Sequence, residues 1–275
     1  MDTKSLAGNF LAREKKSNIA RSYVRTLQTR LWLEALFRDN LINRKTLEEV
    51  ISEGDEPSGQ VLKWLKGKNT VSASKVSRID KIFFFGSSEI YFLPLFQLLE
   101  NRFISKNELK RIVQNISDEE RFAFFWKLPD SFRDKTDGLP ISILGEENFD
   151  TLYQRGGIYS FIAILYLVRK AEANGDGVQH YYAMTYAYKS FPSLARNRHF
   201  KRRWRELLAA LKQIHLRVPT SWLLVQPNIY VLEEQIKAKY FITYRPHLPR
   251  DPISYRFIEN EDPFYLATFP HFGNE

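Results

Sequence analysis

The chain has 275 residues, of which 44% are hydrophobic and 15% aromatic, enough for one large globular domain or two small ones. It has no cysteine, which excludes disulfides, cysteine zinc sites, iron–sulfur clusters and thiol catalysis. The net charge is +9, and two basic ends flank an acidic middle. This balance favours a polyanionic partner, of which nucleic acid is the commonest in a cell.

Neither a membrane span nor a signal peptide is evident in the sequence. The most apolar run, residues 158–168, has about half the length that a membrane helix needs. The first residues are polar and lack the apolar run of a secretory signal. The sequence therefore predicts a soluble, cytoplasmic protein with no membrane partner.

The N-terminal third predicts a series of helices. Apolar residues recur at three- and four-residue steps over residues 21–40, which indicates an amphipathic helix. Thr46 and Glu49 have the spacing of a capping box at the start of a short second helix, which Gly54 would end. A third helix is predicted from Ser58 to Lys66.

Gly67 is expected to stop this third helix, and Ser72 or Ser74 to open a fourth that runs to Phe83. A break at GSSE and an apolar helix follow. Ser105 then has a capping-box partner, Glu108, at the start of a helical stretch predicted over residues 105–127.

The rest of the sequence predicts a larger helical domain, followed by a C-terminal segment of different composition. Residues 128–140 are expected to form a loop, and residues 146–172 a helix interrupted at Gly156–Gly157. Two more helices are expected in HYYAMTYAYKSF and RHFKRRWRELLAALKQIHL. Proline and aromatic residues become frequent from Pro219, and SYRFIENEDPFYLATF is typical of a β-hairpin.

One stretch resembles a known family, the Cro/repressor-type (XRE) helix-turn-helix domain. The resemblance covers about residues 30–90. Leu47 and Val50 would lie in its second helix, with Gly54 at the turn. The series after the turn comprises Val61, Trp64, Gly67, Val71, Val76 and Ile79.

The resemblance implies a recognition helix that is held to the core by Val61 and Trp64. Its outward residues would meet base edges in the major groove, and its flank would meet phosphates. The expected DNA-binding residues are Ser58, Gln60, Lys63, Lys66 and Lys68. The alternative is a purely structural helical core whose lysines are solvated.

The stretch also departs from the family pattern. The turn before Val61 is one residue longer, Leu65 replaces a common glutamate, and Val71 replaces a proline. Asp80 occupies a position that is typically small and apolar. Gly59 would weaken a recognition helix by about 1 kcal/mol if it lay inside it.

A second basic segment lies at residues 196–212. On a helical wheel, Phe200, Trp204 and three leucines share one face, with cations beside them. Its members are Arg196, Arg198, Lys201, Arg202, Arg203, Arg205 and Lys212. A basic stripe of this kind would bind a phosphate backbone, while pairing with Asp118, Glu119 and Glu120 or plain solvation are the alternatives.

No catalytic or metal-binding motif stands out. The five histidines lack ligand spacing, and His180 is interpreted as a half-buried packing residue. Adjacent carboxylates such as Glu233 and Glu234 point apart on a helix. We therefore expect no cofactor, no metal and no catalytic residue, although a nuclease assembled from distant carboxylates stays open as an alternative.

The sequence as a whole predicts a mainly α protein with three parts: a helix-turn-helix-like domain over 1–95, a helical domain over 96–218, and a proline- and aromatic-rich segment with some β structure over 219–275. The expected function is non-enzymatic binding of double-stranded DNA by a bacterial regulator, as a homodimer or part of a larger assembly. The alternative is a non-catalytic adaptor of a bacterial nucleoprotein or anti-phage defence assembly.

Overall fold

A computed structural model describes residues 23–38, 42–52, 58–83, 86–114, 116, 126–127, 139–140 and 147–237. The mainly α fold class is confirmed in this part of the chain. Here the chain divides into two compact units: a first that comprises residues up to 102 together with 198–214, and a second that comprises 103–197 together with 215–237. The predicted division at 95 and 218 stays a prediction about folding domains, but residues 198–214 group with the N-terminal helices.

The first unit begins with helix α1 over residues 23–38, as the apolar spacing predicted. The helices that follow are α2 (Arg44–Ser52), α3 (Gln60–Leu65), α4 (Ala73–Phe83), α5 (Ser88–Phe92) and α6 (Pro94–Leu99). Helix α11 (Trp204–His215) contributes its residues up to 214. The predicted turn at Gly54 and Pro57 lies outside the described residues.

The ends of these helices are set by short-range hydrogen bonds. Asn43, and not Thr46, caps α2, because its side-chain oxygen accepts the Thr46 N–H at 2.9 Å. Helix α2 thus starts two residues before the predicted cap. Ser72 caps α4, since its Oγ accepts the Lys75 N–H at 3.4 Å, which agrees with one of the two predicted starts.

The second unit contains α7 (Lys106–Gln114), α8 (Glu147–Arg155), α9 (Gly157–Asn174), α10 (Gly177–Arg196), α12 (Pro219–Leu224) and α13 (Ile229–Lys237). The break predicted at Gly156 is confirmed, and the turn at Gly175 has a left-handed backbone with φ 69°. Phe161 of α9 packs edge-on against Phe191 of α10, with ring centroids 6.1 Å apart.

Predictions for three stretches of this unit were wrong: residues 126–127, expected to be helical, residues 139–140, expected to lie in a loop, and residues 219–237. Trp126–Lys127 is not helical but forms strand β1, which pairs antiparallel with β2 (Leu139–Pro140). Residues 219–237, which the sequence assigned to an irregular segment, contain two helices. Pro219 is the first residue of α12, a position where proline is favourable, and Asn228 caps α13. The predicted hairpin in SYRFIENEDPFYLATF lies outside the described residues.

Candidate nucleic-acid interface

Helix α3 is held by a hydrophobic cluster in the first unit. Trp64 is 1% exposed and meets Trp32 edge-on, with ring centroids 6.2 Å apart. The buried cluster comprises Trp32, Leu33, Leu36, Leu47, Val61, Trp64, Val71, Val76, Ile79 and Tyr91. The predicted core residues from Val61 to Ile79 are therefore buried together, and one side of a six-residue helix is fixed by apolar contacts that it could not supply alone.

The beginning of α3 is capped by Glu48 of α2, a buried carboxylate. Its Oε1 accepts the Gln60 N–H at 2.7 Å, and its Oε2 accepts the Val61 N–H at 2.9 Å. Such a negative group at a helix N-terminus satisfies backbone donors and complements the helix dipole. This role of Glu48 was not predicted from the sequence. The available signal was a glutamate next to Leu47 on the side of α2 that packs inward.

Gly59 precedes α3 and does not weaken it. Its backbone is left-handed, with φ 65°, and it occupies the N-cap position outside the helix. The expected cost of a glycine inside the recognition helix therefore does not apply. Glycine instead suits this position, because other residues rarely adopt such a backbone.

The end of α3 lies at the predicted stop. The Gly67 N–H donates to Trp64 O at 3.0 Å and the Lys68 N–H to Lys63 O at 2.8 Å, which together form a Schellman motif. Gly67 has φ 69°, and a Cβ on it would lie 2.7 Å from Thr26 Cγ2 of α1. Gly67 thus ends the helix and lets the next residues approach α1.

The five expected DNA-binding residues lie at or near the surface around α3. Ser58, Lys63, Lys66 and Lys68 are exposed, and Gln60 is half-buried. The Ser58 hydroxyl contacts Glu48 Oε1 at 3.4 Å, and Lys63 Nζ donates to Ser58 O at 3.3 Å. The lysines therefore lie on the side of α3 that the hydrophobic cluster leaves uncovered.

Asp80, which departs from the family pattern, has a structural role. Its Oδ2 accepts the Ser88 hydroxyl at 2.6 Å and its Oδ1 the Ser87 hydroxyl at 2.8 Å, at the start of α5. Burial raises the pKa of Asp80, but the hydrogen bonds from Ser88 and Ser87 outweigh it and leave the pKa below its ordinary value. Trp32 Nε1 donates to Ser87 Oγ at 3.2 Å, which joins this cap to the hydrophobic cluster.

The second basic segment does not form one helical stripe. Helix α11 begins at Trp204, so Arg198, Lys201, Arg202 and Arg203 precede it and the predicted wheel was wrong for them. The preceding residues form turns, in which the Arg203 N–H donates to Phe200 O at 2.8 Å. The predicted apolar face is confirmed, because Phe200, Trp204, Leu207, Leu208 and Leu211 are buried.

Arg203 and Arg196 bond partners within their own units. Arg203 bonds Glu34 at 2.8 Å and Glu206 at 2.6 Å. Arg196 is the last residue of α10 and donates to Gln235 O at 3.2 Å in the second unit. The exposed members are Arg198, Lys201, Arg202, Arg205 and Lys212. The alternative acidic partners Asp118, Glu119 and Glu120 lie outside the described residues.

A buried polar network in the second unit was not anticipated. His215 and His180 are both fully buried, whereas His180 was expected to be half-buried. The His215 ring nitrogens contact the Tyr188 hydroxyl at 3.1 Å and the Ser221 hydroxyl at 3.2 Å. Burial lowers the pKa of His180 to about 3, with His215 and Arg169 adding to the effect, and lowers that of His215 to about 4. Both rings are therefore neutral packing groups at neutral pH.

Among the described residues, no group of three or more histidine, aspartate or glutamate side chains is arranged to hold a metal ion. None of the described helices has the length and apolar character needed to cross a membrane. Comparison of the chain with family models, curated proteins and solved structures finds no match.

Proposed function

We propose that the protein binds double-stranded DNA through the outer side of α3. The observation that carries this proposal is the division of α3 into a buried side, with Val61 and Trp64, and an exposed side with Lys63. Lys66 and Lys68 continue the exposed basic surface past the end of the helix. Cations held on a rigid helix suit the phosphates that flank a groove.

Two kinds of contact are expected at this surface. Gln60 and Lys63 would face base edges, since glutamine can bond adenine bidentately and lysine can reach guanine acceptors. Lys66 and Lys68 would meet backbone phosphates. A regulator of this kind commonly acts as a dimer on two half-sites, so self-association belongs to the proposal and is measurable by light scattering of the full chain.

The experiment is a salt titration of duplex binding by fluorescence anisotropy. Replacing Lys63, Lys66 and Lys68 together by alanine should lower the steepness of log affinity against log salt by about 1.8, or about 0.9 for each of the phosphate contacts of Lys66 and Lys68. Lys81→Ala removes an exposed cation from α4 and serves as the matched control. Equal slopes for the triple variant and the control would reject α3 as the interface.

A second function is favoured by one further observation. Arg198, Lys201, Arg202 and Arg205 are exposed close together in sequence, which supports an adaptor that holds a polyanion through this segment. Replacing these four residues by glutamate should then abolish salt-sensitive binding, whereas the triple lysine variant should bind normally. Loss of binding in the triple lysine variant, with normal binding in the glutamate variant, would favour a regulator that binds DNA through α3.

A further inference from the structure

The loop that follows α3, residues 66–70, is fixed at both ends. Before it, Arg30 Nε donates to Leu65 O at 3.2 Å. After it, the Val71 N–H donates to Thr29 Oγ1 at 3.2 Å, and the Tyr91 hydroxyl donates to Val71 O at 2.8 Å. The exposed side chains of this loop are therefore presented on a backbone that is already ordered.

A polar depression lies between this loop and α1. It has a volume of about 370 Å³ and is lined by Thr26, Gln60, Gly67, Lys68, Asn69 and Thr70. Apart from Gly67, every lining residue has a side chain with a hydroxyl, an amide or an ammonium group, and none carries a carboxylate. Such a set offers hydrogen-bond donors and one positive charge, which is the complement of an anion that carries several oxygen acceptors.

The depression depends on a glycine at position 67. Because a Cβ at this position would lie 2.7 Å from Thr26 Cγ2 and 2.8 Å from Arg30 Nη2, only glycine lets the loop approach α1 so closely. Its left-handed backbone also turns the chain out of α3. The close approach puts the hydroxyl-bearing Thr26 and Thr70 on the wall of the same depression.

We propose that this depression binds a single phosphate group of the DNA backbone. The inference rests on the proposed function of α3 and assigns one phosphate contact of that interface. Lys68 supplies the positive charge, and Asn69, Thr70 and Thr26 donate hydrogen bonds to the phosphate oxygens. Gln60 lies at the edge of the depression, so a strand held here is anchored beside a residue expected to face the bases.

The test is a double-mutant cycle measured by duplex binding. Thr70→Val and Asn69→Ala should each weaken binding about three- to tenfold without changing the salt slope, because they remove neutral donors. Lys68→Ala should weaken binding and lower the slope by about 0.9. Thr220→Val, an exposed threonine of the second unit, is the matched control for Thr70→Val.

The combined Lys68→Ala/Thr70→Val variant decides whether the two side chains share one phosphate. We expect its loss of affinity to be smaller than the product of the single losses, and Thr70→Ser to restore binding. Losses that multiply, or a Thr70→Val variant that binds like Thr220→Val, would overturn the assignment. Thr70 is exposed, so unfolding measurements should give wild-type stability for both of its variants.

The outcomes also separate this inference from the function on which it rests. A wild-type chain that does not bind duplex refutes both. A chain that binds and depends on Lys63 and Lys66, but not on Asn69 or Thr70, refutes the phosphate site alone. Inorganic phosphate that replaces chloride at constant ionic strength should displace DNA weakly. Strong displacement from the wild type and not from Lys68→Ala would assign the depression to the free ion instead.

Discussion

Two carboxylates of the first compact unit and two histidines of the second show how differently ionisable side chains are accommodated. In the first, the carboxylates of Glu48 and Asp80 accept hydrogen bonds from backbone or hydroxyl donors where α3 and α5 begin. In the second, His180 and His215 are fully buried, and their lowered pKa values keep them neutral. Charge is thus retained on the two carboxylates and absent from the two histidines at neutral pH.

The difference reflects what surrounds each group. A helix N-terminus offers several aligned N–H donors, so a carboxylate there exchanges water for equivalent partners. Among the residues that the structure describes, neither ring nitrogen of His180 has a hydrogen-bond partner, so a proton on that ring would add a charge with no acceptor there. The first unit therefore uses carboxylates to hold short helices in place, whereas in the second the two buried histidines stay neutral and the buried Arg169 is paired with Glu172.

Lowering the pH should produce the largest difference in stability between the two units. The unfolded histidines take up protons below about pH 6.5 and the folded ones do not, so lowering the pH from 7 to 5 should destabilise the second unit by about 2 kcal/mol per histidine. The loss starts near pH 6.5 and continues towards pH 4 for His215 and pH 3 for His180. Asp80, whose pKa is lowered, loses its contribution only in stronger acid.

Hydrogen exchange, corrected for its intrinsic pH dependence, measures this effect segment by segment. Helices α9 and α10 should lose protection at pH 5 while α4 keeps its own. Equal protection of α9 at both pH values would mean that the two histidines do not resist protonation and would end the contrast between the units.

Substitution of Glu48 tests how much a carboxylate at the start of α3 contributes to stability. Glu48→Gln should lower the free energy of unfolding by about 2–3 kcal/mol, since one of the two backbone N–H groups of α3 loses a charged acceptor and a half-satisfied amide is buried. Glu49→Gln changes the exposed neighbour in the same helix and should cost less than about 0.5 kcal/mol. Urea unfolding of both variants measures the difference. A similar cost for the two would show that the cap at α3 contributes little.

Gly67 tests whether the loop after α3 depends on its approach to α1. Gly67→Ala should cost about 1–2 kcal/mol from its left-handed backbone, with more from the contact with Thr26. Gly59→Ala is a matched control, because Gly59 also has a positive φ but a Cβ there would meet none of the described residues within 4 Å. Thermal unfolding should rank Gly67→Ala as the more destabilising change. The reverse order would argue against the close approach.

The smallest effect on stability is expected from alanine substitutions of Arg203 and Arg202. Arg203→Ala should cost about 1 kcal/mol, because a partly exposed arginine loses two carboxylate partners, whereas Arg202→Ala should leave stability unchanged. For polyanion binding the order should reverse, since Arg202 is exposed and Arg203 is engaged. Unfolding and salt titration of both variants check this. Parallel behaviour in both measurements would mean that the ion pairs do not distinguish the two arginines.

Local signals predicted much of the first unit. The spacing of Val61, Trp64, Val76 and Ile79 identified the buried side of two helices, and Gly67 identified the end of α3, because both depend on residues within one or two turns. The same reasoning failed at residues 198–203, where basic residues were placed on a helix. An apolar periodicity continues through a turn when Phe200 packs inward just before the helix begins.

Some features of the candidate site could likewise be predicted from local signals, and others could not. Its outward residues, such as Gln60 and Lys63, follow from the helical period once the buried side is known. The cap by Glu48 and the contribution of Thr26 to the depression do not, because they depend on where α2 and α1 lie against α3. The place of Glu48 next to Leu47 indicates the inward side of α2, but it does not indicate that its carboxylate meets the start of α3.

By itself, the sequence determined a mainly α chain, a basic charge balance, the buried side of α3 and its end at Gly67. These follow from side-chain periodicity, composition and the backbone freedom of glycine, which act over a few residues. Only the tertiary structure decided which charges are engaged. Arg203 bonds Glu34, although the two lie 169 positions apart in the sequence. The ring centroids of His180 and His215 lie 6.1 Å apart. Desolvation and pairing depend on neighbours that the order of residues does not reveal.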